Sequence, residues 1–213
     1  MGSSARFFLT EMQTGKEKLP DVLDVHSWHE FIKAIMNAGY LSGDLILSGN
    51  AIFYTYALYL IAKHRFNASY NENMHLTSLW FFYASLISLY TGSFESTVEN
   101  HLNTIKNLKT LDEYKEFILS RVNERLTNDY FDITLVGSEG LAVSGRGNNA
   151  WNAYVASMNI MNAKILFSKS NLLVSKSTLS KYPARAMNCF EPAPSSAGQP
   201  KKITVPSLFS LTR

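Results

Sequence analysis

The sequence predicts an all-α protein, a single bundle-like domain of about six helices around one central apolar helix. The first observation is the stretch from His75 to Lys106, in which apolar residues recur every three or four positions, as in an α-helix. They stand at positions 76, 79, 80, 83, 86, 87 and 90. Phe82 and Leu89 add a second apolar stripe, so little of this helix stays polar. A helix that is apolar on almost every side has to be covered by other helices, and we therefore expect it at the centre of the fold.

Composition is the second observation. The chain has 213 residues, of which 46% are hydrophobic and 13% aromatic, so it is long enough for one full domain whose core needs no disulfide bonds. Cys189 is its only cysteine, which excludes a disulfide framework or a cysteine-based metal site within one copy. No signal peptide is visible at the N-terminus. These features favour a reducing compartment, and we expect a cytoplasmic protein.

The longest apolar runs do not predict a membrane protein. Ala51–Ala62 and Leu79–Tyr90 are about a dozen residues each, whereas a helix that crosses a bilayer needs about 20. We therefore expect no membrane partner. A membrane-associated hairpin built from these two runs is the weakest of three functional alternatives.

Charge is distributed unevenly along the chain, whose formal net charge is +3. From Lys169 onward there are seven Lys and Arg residues and one acidic residue, Glu191, while the rest of the chain has 13 basic and 16 acidic residues. A basic tail can contact nucleic acid or anionic lipids. Seven charges over 45 residues are sparse, however, and favour a solvated tail. DNA is retained as a candidate partner.

The chain begins with an expected irregular lead-in, residues 1–25, because Pro20 blocks a continuous helix. Ser27 and Glu30 have the spacing of a capping box and predict a helix at the start of the helical domain, residues 26–172. That helix is predicted to end at about Ala38, with Gly39 as its C′ residue. Its predicted apolar face consists of Trp28, Phe31, Ile32 and Ile35.

Five further helices are predicted after Gly39, and Ser93 and Thr110 are expected to cap two of them. They run from 50 to about 64, from 75 to about 90, from 94 to about 107, from 111 to about 126 and from 149 to about 167. Residues 41–49, 67–73 and 137–148 are predicted to be loops, and 130–136 a weakly extended segment. Residues 173–213 are predicted to be a disordered, basic tail rich in proline and serine.

Motifs for catalysis, cofactor binding or metal binding are not found in the sequence, so no residue is assigned to any of these roles. His26 and His29 lie beside Glu30, but HSWHE does not match the HExxH spacing of zinc proteases. The glycine-rich segment 137–148 has no GK[ST] ending and is not preceded by a clear strand, so it does not predict a phosphate-binding loop. No GxSxG motif is present.

Three stretches carry a resemblance to a known family. The first is Asn50–Ile61, NAIFYTYALYLI; the second is LWFF at Leu79–Phe82 with LYTGSFES at Leu89–Ser96; the third is NAYVA at Asn152–Ala156, followed by LFS at Leu166–Ser168. In order and spacing they resemble the all-helical part of the GmrSD-like restriction proteins, a type IV, modification-dependent family of DNA-cleaving enzymes. The matching signature positions are Tyr56, Tyr59, Trp80, Phe81, Tyr90, Ser93, Glu95, Tyr154 and Phe167.

The resemblance implies a large phage-defence enzyme with two further domains. One would carry a DGQQR-type motif for nucleotide hydrolysis, and the other an HNH-type motif that cuts DNA with a divalent metal. This sequence has no DGQQR, and its last histidine is His101, so it matches neither motif. It also has Leu89 where the family tends to have a basic residue, and His101 where an acidic residue is common. Nucleotide and metal are therefore expected only in the missing domains, and no cofactor in this chain.

Together these observations predict a non-catalytic helical module of a GmrSD-like phage-defence protein, connecting nucleotide-sensing and nuclease parts. The chain would be a fragment, a truncated form or one subunit of a split system, and its partners would be the missing domains or subunits. This chain alone is not expected to be an enzyme. The alternative from another class is a stand-alone helical module that binds a protein partner.

Overall fold

A computed structural model describes residues 19–130, 149–161, 164–165 and 190–191. The described residues form seven α-helices, a 3₁₀ turn at Gly43–Leu45 and two short strands. The helices are α1 (Leu19–Val22), α2 (Val25–Asn37), α3 (Gly49–His64), α4 (Tyr70–Leu86), α5 (Phe94–Asn107), α6 (Leu111–Arg125) and α7 (Asn149–Ile160). The strands, β1 (Lys164–Ile165) and β2 (Phe190–Glu191), pair antiparallel. The predicted all-α class is confirmed, and α2–α7 correspond to the six predicted helices.

Helix α4 lies at the centre of the described fold. It packs most extensively against α2 and α3, and also against α6 and α7. Nine consecutive residues, 76–84, are buried, which requires neighbours on every side of the helix. Among them Phe81 is 0% and Phe82 2% exposed, and full burial of such a side chain contributes about 1.5–3 kcal/mol.

The ends of α4 differ from the prediction. Residues 67–73 were expected to be a loop, but α4 already begins at Tyr70, because Ser69 and Glu72 form a complete capping box. The helix ends at Leu86 rather than near Thr91, and Ser88 then adopts a positive φ of 57°. This early end turns the chain back, so that Tyr90 reaches α4 and its hydroxyl accepts a hydrogen bond from Trp80 Nε1 at 3.0 Å.

The N-cap residue of α2 lies three residues before the predicted one, Ser27. Asp24 is the N-cap residue, and its carboxylate accepts hydrogen bonds from the backbone N–H groups of His26 and Ser27 at 3.1 and 2.8 Å. The prediction that Ser27 caps the helix is therefore wrong, and Glu30 bonds elsewhere. The C-terminal prediction is confirmed, because Gly39 follows the C-cap residue with a φ of +84°.

Buried polar side chains cross-link the helices by donating hydrogen bonds to backbone carbonyls. Asn73 on α4 and Tyr114 on α6 donate to the adjacent carbonyls of Tyr59 and Leu58 on α3, at 3.1 Å each. Ser78 on α4 donates to the carbonyl of Ala34 on α2 at 2.8 Å. Since a buried polar group without a partner is costly, these bonds favour one mutual arrangement of the helices.

Helices α5 and α6 start close to the predicted positions. Ser93 precedes α5 but makes no side-chain capping bond, whereas Thr110 accepts a hydrogen bond from the N–H of Glu113 at 3.2 Å. The spacing of Thr110 and Glu113 is that of a capping box, but the Glu113 carboxylate accepts from the N–H of Lys109, at 2.7 Å, so only the bond to Thr110 forms.

Helix α7 packs on α4 and on the 3₁₀ turn, where Asn152 Nδ2 donates to the carbonyl of Leu45 at 2.9 Å. It ends at Ile160 and not near Phe167, and Lys164–Ile165 pairs with Phe190–Glu191 instead. The predicted loop 137–148, residues 131–136 of the predicted extended segment, and residues 1–18 of the lead-in lie outside the described residues. So does the predicted tail 173–213, except for β2.

Replacement of Gly39 by alanine is predicted to destabilise the fold much more than the same change at Gly92. Both residues have a positive φ, +84° and +72°, so each alanine costs about 1–2 kcal/mol in backbone strain. Only at Gly39 would the new Cβ also meet α7, 2.1 Å from the carbonyl oxygen of Ala156. Urea denaturation should therefore show a loss of about 3 kcal/mol or more for Gly39→Ala and of about 1–2 kcal/mol for Gly92→Ala. Equal losses would contradict the close approach of α7 to this turn.

Candidate functional site

The two signature tyrosines of α3 face α2. Tyr56 is 8% exposed, and its hydroxyl donates to the carbonyl of Val22 at 2.9 Å. Tyr59 is 3% exposed, and its hydroxyl donates to Glu30 Oε2 at 2.5 Å. Burial raises the pKa of Tyr59 above its ordinary range, and the bond to Glu30 raises it further. Both phenols therefore remain neutral at physiological pH and act as hydrogen-bond donors between helices.

The signature residues around α4 form the centre of the core. Trp80 and Phe81 are fully buried, and Phe81 contacts Tyr40 edge to face, with 5.0 Å between ring centroids. Tyr90 is 2% exposed, and burial raises its pKa. These residues are placed for packing.

The remaining signature residues do not converge on one site. Ser93 and Glu95 are exposed at the start of α5, and Tyr154 is half-buried on α7. Phe167 lies outside the described residues. Among the signature residues, the structure brings two pairs together. Trp80 donates a hydrogen bond to Tyr90, and the rings of Tyr56 and Tyr59 are stacked with 6.1 Å between their centroids.

A small cleft, partly open to solvent, lies between α3, α5 and the turn after α4. Tyr54 stacks on Tyr90 at its wall, with 5.3 Å between ring centroids. The lining is otherwise apolar apart from His101: the residues are Tyr54, Ala57, Leu58, Tyr90, Val98, His101 and Leu102.

His101 is the titratable residue of this cleft with the most unusual environment. Its ring lies 5.4 Å from Trp80 and 5.7 Å from Phe117, both edge to face. Its Nδ1 is buried and makes no hydrogen bond to the described residues. Burial, and then the positive charge of Arg121, lower the pKa of His101 to about 4. The imidazole is therefore neutral at pH 7, and among the described residues that line the cleft beside it none is a carboxylate, serine or cysteine.

A second cluster of polar and ionisable side chains lies between α2 and α3 and forms a hydrogen-bonded network. Lys63 Nζ donates to Glu30 Oε2 at 2.8 Å and to Ser27 Oγ at 3.0 Å, and Ser27 Oγ donates to Asp24 at 2.7 Å. Burial opposes the ionisation of Glu30, but the hydrogen bonds from Lys63 and Tyr59 outweigh it, and the pKa of Glu30 is lowered.

The network has the residue types of a serine–lysine catalytic pair but not the required protonation states. A lysine that acts as a base has to be neutral, whereas Lys63 forms an ion pair with Glu30. The hydroxyl proton of Ser27 is directed at Asp24, the cap of α2. The hydrogen bonds from Ser27 lower the pKa of Asp24 to about 2, and His26 N–H adds to this effect. The network therefore binds α2 to α3.

The sequence did not reveal this network, since Glu30 had been assigned to a capping box. One available signal was Lys63, a charged residue within an otherwise apolar helix. The two histidines near the start of α2 are both exposed, and His26 Nε2 lies 3.3 Å from Glu30 Oε1. Within the part of the chain that the structure describes, no group of three or more His, Cys, Asp or Glu residues could hold a metal ion.

The outer side of α2 carries exposed apolar residues, which we call the apolar ridge. Trp28 and Ile32 were predicted to face the core with Phe31 and Ile35, but only the latter two are buried; Trp28 and Ile32 are each 37% exposed. The reason is that the neighbouring helices cover only one of the two apolar sides of this helix, the side on which Phe31 packs against Tyr56 of α3. Trp28 lies at the border, with its ring centroid 4.8 Å from that of Tyr56. The apolar ridge consists of Val25, Trp28, Ile32 and Met36.

Comparison of the chain with protein-family models, with curated proteins and with solved structures gives no significant match. Among the described helices, none is both long enough and apolar enough to cross a membrane.

The pKa of His101 is predicted to make the fold sensitive to mild acid. Between pH 6.5 and about 4 the unfolded chain binds a proton at this residue that the folded chain does not, so stability falls as pH is lowered through this range. The loss contributed by His101 is at most about 3 kcal/mol, and His101→Gln should remove it, whereas His29→Gln, at an exposed position, should not. An NMR titration that places the pKa of His101 at or above 6.5 would contradict this account.

Proposed function

We propose that this chain is a non-catalytic helical module that acts by binding other protein parts. In its specific form, it is the helical module of a GmrSD-like phage-defence restriction protein and connects a nucleotide-sensing part to a nuclease part. In the alternative form, it is a stand-alone module with a separate protein partner. The observation that carries the proposal is the apolar ridge of α2, whose side chains are 37% to 64% exposed.

The ionisable side chains that bond to one another between helices support a structural role for this module. Tyr59, Glu30 and Lys63 bond to one another between α2 and α3. Lys115 on α6 donates to Glu72 on α4 at 2.6 Å, and this bond is the main reason that the pKa of Glu72 is lowered to about 2. Groups that are held in such bonds stabilise helix contacts and are not available to substrates.

The three stretches that resemble the GmrSD-like family support the specific form. Their described parts fall in α3, in α4 with the start of α5, and in α7, and α4 packs against both α3 and α7. Most of their described aromatic signature residues lie inside the core, as Trp80 and Phe81 do. A shared packing arrangement would account for a resemblance in such residues.

Direct DNA binding receives less support from the described residues. Arg65 uses its guanidinium to bind the carbonyls of Lys106 and Leu108, at 2.9 and 2.8 Å. Lys63 and Lys115 are in ion pairs. Binding to phosphates would require these cations to exchange protein partners for DNA.

The proposal predicts that the purified chain neither cleaves DNA nor hydrolyses nucleoside triphosphates. Both reactions should be assayed with Mg²⁺ and Mn²⁺, DNA cleavage on modified and unmodified DNA, with Ser27→Ala as a matched control that removes the contact of Ser27 with Lys63. Trace activity of equal size in both proteins would be assigned to a contaminant. Robust cleavage of any DNA, or turnover that Ser27→Ala abolishes, would contradict the proposal.

The two forms of the proposal differ in the partner that they require. If the specific form holds, the tagged chain expressed in its own host should co-purify with polypeptides that carry DGQQR-type or HNH-type motifs. A stoichiometric partner without either motif would favour the stand-alone form. A salt-sensitive gel shift with DNA and no protein partner would contradict both.

A further inference from the structure

The apolar ridge has the geometry of a helix-binding surface. Its residues are spaced by three, four and four positions, and at about 100° per residue they lie along one side of α2 for about 16 Å. Val25 is 64%, Met36 48%, and Trp28 and Ile32 are each 37% exposed. Spacings of three and four are those with which the side chains of one helix pack into the grooves of another.

A second row of exposed side chains, His26, His29 and Lys33, runs beside the apolar ridge; we call it the basic ridge. It contains no acidic residue. Of the two carboxylates nearest to it along α2, Glu30 lies 3.3 Å from His26 Nε2, so His26 already has an acidic neighbour and the charge of this ridge rests on Lys33. Asp24 caps the helix, and Glu30, 13% exposed in its side chain, is bonded to Tyr59 and Lys63. The exposed side of α2 is therefore apolar on one half and basic on the other.

We propose that this surface binds an amphipathic helix from another polypeptide that carries acidic residues along the edge facing the basic ridge. The inference rests on the proposed function, since it names the class of partner that an interaction module would bind. The apolar side chains of the partner would pack around Trp28 and Ile32, and its carboxylates would lie near Lys33. An aromatic residue at the middle of such a surface commonly contributes most to binding.

The charges disfavour a second copy of this chain as the occupant. If two α2 helices paired antiparallel with their apolar ridges in full overlap, like edges would face each other and the pairing would be centred between Glu30 and Phe31. Lys33 would then lie near His29 of the other copy and would face no carboxylate of that edge, so a partner with an acidic edge is favoured over a second copy. A membrane surface is also disfavoured, because Lys33 is the one permanently charged residue of the basic ridge and stable attachment takes a cluster of such charges.

The test is a selection from a display library of helical peptides. The apolar positions of each peptide are fixed in the spacing that matches the apolar ridge, and the flanking positions are randomised among acidic, basic and neutral residues. Peptides are selected on the full chain, on Lys33→Glu, on Ile32→Glu, and on Leu119→Glu, which places the same charge on an exposed residue of α6. Circular dichroism confirms that each variant is folded.

Peptides selected on the wild-type chain are expected to be enriched in Glu and Asp over Lys and Arg at the flanking positions nearest Lys33. The enrichment should be up to about fivefold, the most that one exposed ion pair contributes. Lys33→Glu should reverse the preference, Ile32→Glu should abolish selection, and Leu119→Glu should leave it unchanged.

The outcomes separate the partner class from the proposed function. Peptides that are selected on the wild-type chain but not on Ile32→Glu, and that show no charge preference or a basic one, would contradict an acidic partner. The proposal of an interaction module would still stand. Absence of any peptide selected through Ile32 overturns both. Dimerisation of the wild-type chain in analytical ultracentrifugation that Ile32→Glu abolishes would identify a second copy as the occupant. Co-sedimentation with vesicles of anionic phospholipid that Ile32→Glu abolishes would identify a membrane surface, and either result overturns the inference.

Discussion

The burial of α4 on all sides is the constraint on which the rest of the described structure depends. A helix with nine consecutive buried residues, 76–84, cannot remain in water alone, so α2, α3, α6 and α7 must each present an apolar face to it. Its polar groups then need partners within the core. Asn73 and Ser78 find them in backbone carbonyls of α3 and α2, which fixes how these helices lie against α4.

The predictable part of this fold is the part determined by local pattern. Helix periodicity identified α4 as the centre, and the positive φ of Gly39 follows from its position after α2. The cap of α2 was mispredicted because the spacing of Ser27 and Glu30 fits a capping box, while Glu30 is drawn to Tyr59 and Lys63, 29 and 33 residues away. A local sequence motif cannot show that such distant residues compete for the side chain of Glu30.

The candidate sites were less predictable than the fold for the same reason. The unusual environment of His101 arises from Trp80 and Phe117, which belong to two other helices. Likewise, two apolar ridges on α2 look equivalent in the sequence, and only the positions of α3 and α4 decide that Phe31 is buried while Ile32 is exposed. The exposed ridge is the feature that favours an interaction module, since most of the family-signature aromatic residues are used in packing.

The central claim, that the fold is built around α4, is tested most directly by native-state hydrogen exchange. The slowest amides in the described part of the chain should be those of residues 76–84 in α4, and their exchange should have the free energy and urea dependence of global unfolding. Faster exchange in this segment than in α3 or α6, through an opening that leaves the other helices protected, would contradict the claim.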